Sequence, residues 1–449
     1  MNGEIFQLTP NRQRLSTPPS QSPLNPQTNM STGPLRRGLS QILKKDPSDI
    51  VILSSLRTPI TRSYKGQLSS AYPEQLLHSV LKATLSANPS LDPALIDDVC
   101  VGVVLSELGG SKAGRMAMNH AGYDTRTSFS TTNRACSSGL QAITNIANSI
   151  ATGGINIGVG GGMESMTRNY GSKAIPVDLW PELKDAERDT KDCIMPMGLT
   201  SENVASRYGV GREEQDRLAV ESHRRAAEAQ EKGWFDEEIV PVTTMWQETG
   251  KGGVKVGEPK EVTVTKDDGI RKGATLESMQ KLKPAFKEDG ASTAGNSSQI
   301  SDGAAATLMM RRSTATSLGL SSSIIGKWAG TAIAGCRPDE MGIGPALAIP
   351  KLMEQAGIQK EEVNVWEINE AFASQAIYCV RELGLMGAYE KGDVNPKGGA
   401  IALGHPLGAT GARMVAGLLA ELKRRDQQVG VVSMCIGTGM GMAGMFVRE

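Results

Sequence analysis

Two stretches of the sequence repeat one pattern, in which a segment rich in small residues opens a helix and a glycine-ended apolar strand follows. The first stretch begins at Cys136 and leads to residues 155–163, and the second begins at His405 and leads to residues 430–440. Strands that alternate with helices predict a mostly parallel sheet covered on both faces. The repeat therefore predicts two similar α/β halves, with Cys136 and His405 at related positions at helix N-termini.

The rest of the sequence predicts how the chain divides into segments. Residues 1–47 are rich in Pro, Ser, Thr, Gln and Asn and poor in acidic residues, which is typical of a disordered extension, with a targeting segment as the other interpretation. We expect an N-terminal half at 48–311, with a charged, inserted loop domain at about 171–290. The C-terminal half is predicted at 320–449.

Composition argues against several classes of function. The 48 basic and 48 acidic residues balance, and aromatic residues make up 4% of the chain, so neither a basic stripe nor a base-stacking platform for nucleic acid is expected. No apolar run reaches the roughly 18 residues of a membrane span. The six cysteines include no CxxC pair, so we predict no metal site and no disulfide scaffold.

Four residues could carry chemistry, although each also has an ordinary structural interpretation. Cys136 at a helix N-terminus would be favoured as a thiolate, and His405 between glycines could take its proton. Cys435 precedes a Gly-rich segment, and Asn369 follows the predicted strand at 363–368. The alternatives are buried core cysteines, a hydrogen-bonded core histidine and an asparagine N-cap.

The joint appearance of these segments carries a resemblance to a known family. Four segments in this order resemble thiolases: NRACSSGL at 133–140, NEAFA at 369–373, GAIALGHPLG at 399–408 and CIGTGMG at 435–441. MPMGLTSENVA at 195–205 and TAGNSSQISDG at 293–303 look most like peroxisomal 3-ketoacyl-CoA thiolases. The resemblance covers the chain from about residue 49 and implies the layered α-β-α-β-α fold of that family.

The resemblance also implies catalytic roles. The cysteine that matches Cys136 carries the acyl group, the histidine that matches His405 activates it, and the cysteine that matches Cys435 is the acid and base. The asparagine that matches Asn369 holds a water that forms one oxyanion hole with the histidine.

A second oxyanion hole and a coenzyme contact follow by the same resemblance. The backbone N–H groups that match Cys136 and Gly437 form the second hole. Ser298 matches a serine that lies against the pantetheine of CoA. No metal or resident cofactor is implied, because CoA is a substrate.

Some positions depart from the family pattern. Ala135 stands where these relatives usually have Gln, and Ala409 stands where they often have Cys. Arg14-Leu15, followed after five residues by Gln21-Ser22, resembles an imperfect type 2 peroxisomal signal, although Pro18 and Pro19 would disturb its helix. We expect a peroxisomal location, with an import receptor as a partner and the mitochondrion as the alternative.

The predicted activity is CoA-dependent cleavage of 3-ketoacyl-CoA to acetyl-CoA and a shortened acyl-CoA, in fatty-acid β-oxidation. The alternatives are an acetoacetyl-CoA thiolase that runs condensation and a thiolase of a specialised biosynthetic pathway. Two other classes are a non-catalytic acyl-CoA-binding protein and a redox protein that pairs Cys136 with Cys435. The resemblance implies a homodimer.

Overall fold

The computed structural model describes residues 38–170, 174–176, 178–250 and 254–449. Most of the predicted disordered extension, up to residue 37, lies outside the described residues. The strands within them are β1 (Ile50–Arg57), β2 (Thr61–Arg62), β3 (Asp98–Gly102), β4 (Ser128–Thr132), β5 (Ile157–Ser165), β6 (Val242–Thr249), β7 (Lys255–Val264), β8 (Ser301–Arg311), β9 (Gly326–Gly335), β10 (Val365–Ile368), β11 (Val429–Ile436) and β12 (Met440–Arg448).

Helices connect these strands. They are α1 (Leu39–Leu43), α2 (Pro73–Ser86), α3 (Ser111–His120), α4 (Ser138–Ala151), α5 (Met166–Asn169), α6 (Pro181–Asp185), α7 (Arg188–Lys191), α8 (Met197–Arg207), α9 (Arg212–Glu231), α10 (Leu276–Gln280), α11 (Arg312–Ser317), α12 (Gly344–Ala356), α13 (Ala373–Glu382), α14 (Met386–Lys391), α15 (Ala400–Leu403) and α16 (Leu407–Arg424). Over the described ranges, no helix has the length and apolarity needed to cross a membrane.

The sheet order repeats between the two halves. The N-terminal strands run β1-β8-β5-β3-β4 and the C-terminal strands run β9-β12-β11-β10, and β1 pairs with β9 to join them. In each half two antiparallel pairings are followed by a parallel one, which is β5 with β3 in the first half and β11 with β10 in the second. The predicted pair of similar α/β halves is confirmed.

The prediction of a mostly parallel sheet is wrong. Among the described strands of the large sheet, only β3–β4, β3–β5 and β10–β11 are parallel, and the other pairings are antiparallel. The centre of each half holds a strand that runs against its neighbours, β8 after the long insertion and β12 after a tight turn. Apolar runs mark a buried strand but do not encode its direction, because a strand covered on both faces is apolar in either direction.

Helices and sheets stack in layers around three apolar clusters. The middle cluster packs α4 and α16 between the two halves of the large sheet and includes Leu140, Ile143, Met414 and Leu418. A second cluster covers the outer face of the N-terminal half of the sheet with α2 and α3, and a third covers the C-terminal half with α12 and α13. The resulting order, helix–sheet–helix–sheet–helix, is the layered fold predicted from the resemblance.

Residues 38–47 differ from the predicted extension, because they pack on the C-terminal half. The Gly38 N–H donates to the Ala356 carbonyl (2.8 Å), and Ile42 of α1 is buried in the cluster of α12. Lys327 Nζ donates to the Lys44 carbonyl (2.7 Å). One apolar stripe of a five-residue helix is too short for a period to stand out in the sequence.

The segment predicted as an insertion holds α8, α9 and the β6–β7 hairpin within its described residues. The long helix of this segment is α9, and its buried face includes Leu218 and Ala219. Those residues pack with Ala373 and Ile377 of α13, so the insertion rests on the element that follows Asn369.

Candidate active site

The four residues predicted to carry chemistry lie at the ends of core elements. Cys136 lies between β4 and α4, and Asn369 directly follows β10. Cys435 is the penultimate residue of β11, and His405 lies between α15 and α16. Helix α4 begins at Ser138, two residues later than the prediction that Cys136 opens it. Carboxyl ends of parallel strands meet at one edge of a sheet, which is the usual position of sites in α/β folds.

Close packing of α4 on α16 brings the cysteine turn and the histidine turn towards each other. A Cβ on Gly139 would lie 2.8 Å from both the Gly408 carbonyl oxygen and the Ala412 nitrogen. Gly411 likewise lies against the backbone of Leu140. Only glycine permits backbones to approach this closely, so the glycines near both helix starts make the contact.

Cys136 follows a residue with an unusual backbone. Ala135 has φ +42°, and its N–H donates to Asn133 Oδ1 (2.9 Å). Removal from water raises the pKa of the Cys136 thiol, while hydrogen bonds from the Gly437 and Cys136 backbone N–H groups act against that rise. The resting group is therefore a thiol that needs a base, with backbone donors already at its sulfur.

The ring of His405 is buried and has one hydrogen-bond partner among the described residues. Its Nδ1 lies 2.7 Å from Thr410 Oγ1, whereas its Nε2 has no hydrogen-bond partner among the described residues. Burial, and then the charge of Arg413, lower the pKa of the imidazole to about 3. The ring is therefore neutral at physiological pH, so Nε2 is free to accept a proton when Thr410 accepts from Nδ1–H.

Cys435 and Asn369 complete the group from neighbouring strands. Burial, and then the neighbouring Cys136, raise the pKa of the Cys435 thiol well above its ordinary value, so it is protonated. The Asn369 N–H donates to the Ser433 carbonyl (2.9 Å), which ties Asn369 to β11. Its side-chain oxygen and nitrogen are buried without partners among the described residues, as expected of an amide that binds a water or ligand.

A turn with left-handed backbone holds Gly437. It joins β11 to β12, and Thr438 and Gly439 have φ of +74° and +90°. A Cβ on Gly437 would lie 3.5 Å from Met197 Sδ. The turn thus aims the Gly437 N–H at Cys136 while its other side meets α8.

An apolar wall and Ser298 border the group. Cys435 packs with Met341, Phe372 and Met197, which would suit an aliphatic chain. The Ser298 N–H donates to the Ala371 carbonyl (2.9 Å), so Ser298 lies beside the segment that starts at Asn369.

Sequence reasoning did not single out Thr410 or Glu164. Glu164 accepts from the N–H groups of Val104 (3.1 Å), Leu105 (3.3 Å) and Gly408 (3.0 Å), and burial raises its pKa to about 7. It ties the start of α16 to the loop after β3. A lone carboxylate in the apolar, Gly-rich strand β5 was the available signal.

The group combines a thiol, a neutral base, a second thiol and unpaired polar donors. Such a set can form a covalent thioester, move protons and stabilise an oxyanion. Within the described ranges, no group of three or more His, Cys, Asp or Glu residues could hold a metal ion.

Comparison with known families matches almost the whole described fold. Residues 50–313 match the model described as "Thiolase, N-terminal domain" and residues 322–448 match "Thiolase, C-terminal domain". The 3-ketoacyl-CoA thiolase B, peroxisomal, of Rattus norvegicus is 49% identical over 400 residues, covering 89% of this chain and 91% of the relative. The human 3-ketoacyl-CoA thiolase, peroxisomal, is 48% identical over 409 residues, covering 91% and 93%.

Solved structures of related proteins superpose on most of this chain. The dimeric peroxisomal thiolase of Saccharomyces cerevisiae superposes with a TM-score of 0.81 at 41% identity, covering 92% of this chain and 100% of that one. The Bacillus anthracis acetyl-CoA acetyltransferase superposes with a TM-score of 0.78 at 34% identity, covering 90% and 99%.

Proposed function

The chain belongs to the thiolase family, and we propose that it is a 3-ketoacyl-CoA thiolase that releases acetyl-CoA and a shortened acyl-CoA in β-oxidation. It is an acyltransferase. The observation that supports this chemistry most directly is the close packing of α4 on α16, together with a buried neutral His405 whose Nε2 has no partner among the described residues and two protonated thiols. These are the protonation states from which thiolysis must start.

The first half-reaction forms an acyl-enzyme. The Cys136 thiol gives its proton to His405 Nε2, and the thiolate attacks the 3-keto carbon, whose oxygen receives hydrogen bonds from the Cys136 and Gly437 N–H groups. Collapse of this adduct breaks the C2–C3 bond and leaves the acyl group on Cys136. The departing enolate oxygen of acetyl-CoA is held by His405 and by a water on Asn369.

The second half-reaction transfers the acyl group. Cys435 protonates C2 of the enolate, and its thiolate then takes the proton of incoming CoA. The CoA thiolate attacks the thioester on Cys136 and expels the cysteine, which recovers its proton from His405. Both thiols return to their starting forms, so the sequence is reversible.

We propose that no metal or resident cofactor takes part, because a thioester is already activated for acyl transfer. CoA and 3-ketoacyl-CoA are the small-molecule partners, and Ser298 lies against the pantetheine arm of CoA. A homodimer and a peroxisomal location are proposed from the dimeric yeast enzyme and from the peroxisomal names of the relatives. An import receptor is proposed as a partner, and no relative described above supports the mitochondrial alternative.

Replacement of the nucleophile tests the proposal. Cys136→Ala should abolish thiolysis of a 3-ketoacyl-CoA, while CoA still binds, because the acyl carrier is lost and the rest of the site is kept. A matched control is Cys193→Ala, whose half-buried thiol is bonded only to the Asp189 carbonyl in the described structure (3.5 Å). Thiolysis is followed by the loss of substrate on liquid chromatography, and CoA binding by calorimetry.

A mass spectrum gives an independent readout. Incubation with acetyl-CoA should add one acetyl group to the peptide that carries Cys136 and none to Cys136→Ala. Wild-type thiolysis in Cys136→Ala would contradict the mechanism.

The similarity to an acetyl-CoA acetyltransferase keeps condensation of short chains as a second candidate. Turnover of acetoacetyl-CoA and of 3-ketohexadecanoyl-CoA ranks the two. A protein that handles only acetoacetyl-CoA would favour the short-chain activity.

A further inference from the structure

Three segments of the chain meet at the buried carboxylate of Glu370, which is 2% exposed. One oxygen accepts hydrogen bonds from Ser222 Oγ (2.6 Å) and from the Ile401 N–H (3.3 Å), and the other accepts from Asn395 Nδ2 (2.9 Å). Ser222 belongs to α9 of the insertion, and the other two donors belong to residues 394–404, here called the histidine loop. Glu370 thus receives donors from two separate elements.

Asn395 joins the histidine loop to β10, because its side-chain amide makes the two hydrogen bonds that the backbone of a paired strand would make. Its Oδ1 accepts from the Ile368 N–H (2.8 Å) and its Nδ2 donates to the Ile368 carbonyl (2.8 Å). Asn395 adopts a left-handed backbone, with φ +46°, to present this edge. Ile368 is the last residue of β10 and directly precedes Asn369. Asn395 therefore holds in place the strand end from which Asn369 extends.

The approach of the loop to Glu370 leaves no room for a side chain. A Cβ on Gly399 would lie 2.5 Å from Glu370 Oε1, and the Gly399 N–H donates to Ser222 Oγ (3.1 Å). Ser222 therefore bonds the carboxylate with its proton and the loop with its lone pair. One hydroxyl couples the insertion helix to both segments.

From these contacts we infer that Ser222, Glu370 and Asn395, here called the clamp, are positioning residues for thiolysis. This inference rests on the function proposed above. The clamp holds the Asn369 amide at the distance from His405 at which a water on the amide and the imidazole converge on one oxygen. None of the three is among the groups assigned a chemical step. A misplacement of about 1 Å in such an arrangement can cost about 100-fold in rate.

Removal of the hydroxyl is the first test. Ser222→Ala should lower kcat for thiolysis about tenfold, the equivalent of one hydrogen bond to a charged group, with KM for CoA changed less than about twofold. The matched control is Ser55→Ala, a buried serine whose hydroxyl bonds Thr307 Oγ1 (2.8 Å) between β1 and β8. That control should keep wild-type kcat.

A comparison of two half-reactions separates positioning from general damage. Acetylation of Cys136 by acetyl-CoA needs His405 as the base but not the water on Asn369, whereas carbon–carbon cleavage needs both. The clamp variants should therefore lose about tenfold in cleavage and about twofold in acetylation, which is timed by mass spectrometry of quenched samples.

The second variant, Asn395→Asp, gives a pH signature. It replaces the donor that faces Glu370 with a carboxylate, so two like charges meet until one is protonated. The charged and titratable neighbours are Arg225 of α9, which donates to the Val394 carbonyl (2.6 Å), and Tyr389, whose carbonyl accepts from Arg225 (2.8 Å). The ratio of variant to wild-type kcat should rise as pH falls, because protonation restores an O–H donor.

The outcomes are distinct. Equal losses in cleavage and acetylation, or a variant-to-wild-type ratio independent of pH, would overturn the clamp. A folded Ser222→Ala with wild-type kcat would also overturn the clamp. If Ser222→Ala does not fold, the pH dependence of Asn395→Asp tests the clamp by itself. An inactive wild-type protein would instead contradict the proposed thiolase activity.

Discussion

At the scale of single residues, the protonation states in the site depend on burial more than on neighbouring formal charges. Burial lowers the pKa of His405 and raises the pKa of Cys136 and Cys435, so each group is neutral before substrate arrives. A neutral cluster avoids the large cost of charges buried without partners. The thiolate then forms only when an electrophile and oxyanion donors are present.

Thr410 orients the imidazole, and its replacement is a prediction at this scale. Thr410→Val keeps the shape and removes the hydroxyl that bonds His405 Nδ1, so kcat should fall about tenfold, the value of one lost hydrogen bond. Steady-state thiolysis measures the loss. Thr314→Val on α11, whose side chain makes no hydrogen bond in the described structure, is the control and should be indistinguishable from wild type. Full activity in Thr410→Val would show that the ring needs no such partner.

At the scale of elements, the glycines of α4 and α16 set how close the two catalytic turns can come. Gly139→Ala would place a methyl group 2.8 Å from backbone atoms of α16, and overpacking of this kind costs about 1–3 kcal/mol. We expect a lower melting temperature and reduced thiolysis, measured by calorimetry and by turnover. The helices would have to separate, which would move Cys136 away from His405.

Gly387→Ala in α14 is the matched control. A Cβ there meets nothing within 4 Å, and alanine in a helix is favoured over glycine by about 0.5–1 kcal/mol. Its stability should be equal to or above that of the wild type. If Gly139→Ala were as stable as this control, the close approach of the helices would not be a constraint.

At the scale of the whole molecule, a buried ionic cluster joins the insertion to both halves. Arg57, at the end of β1, donates from Nε to Glu238 (2.7 Å) and from Nη1 and Nη2 to Asp267 (2.7 and 2.9 Å). Lys397 of the histidine loop donates to the other oxygen of Glu238 (2.6 Å). The two acidic residues belong to the insertion, so the cluster links it to the N-terminal sheet and to the loop before His405.

Glu238→Gln tests this link. Removal of one partner from a buried ion pair leaves charge uncompensated, so the free energy of unfolding should fall by about 3–5 kcal/mol at pH 7 in urea titrations. Glu213→Gln, in an exposed pair with Arg217, is the control and should cost less than about 1 kcal/mol.

The pH dependence of that loss has a definite sign. The basic partners hold the pKa of Glu238 below its ordinary value of 4.5, although burial alone would raise it. Its contribution to stability is therefore complete above pH 4.5 and disappears as pH falls through the lowered pKa. The gap between wild type and variant should narrow in acid, and a constant gap would contradict the ion pairs.

The sequence by itself determined the family, the doubled α/β architecture and the residue types that stand at the ends of the core elements. Short motifs suffice for that, because a nucleophilic thiol, its base and the glycines beside them are local features. The roles of Cys136, His405, Cys435, Asn369, Gly437 and Ser298 remain predictions, and Cys136→Ala tests the first of them directly.

Only the tertiary structure decided what depends on distant parts of the chain. Strand direction within each sheet, the folding of residues 38–47 on the C-terminal half, and the neutral state of His405 all follow from packing partners far away in sequence. The same holds for Glu370, which stands beside Asn369 in the sequence but bonds Ser222 and Asn395, which are 148 and 25 residues away. Burial and hydrogen-bond geometry arise only when those segments come together, so no local pattern encodes them.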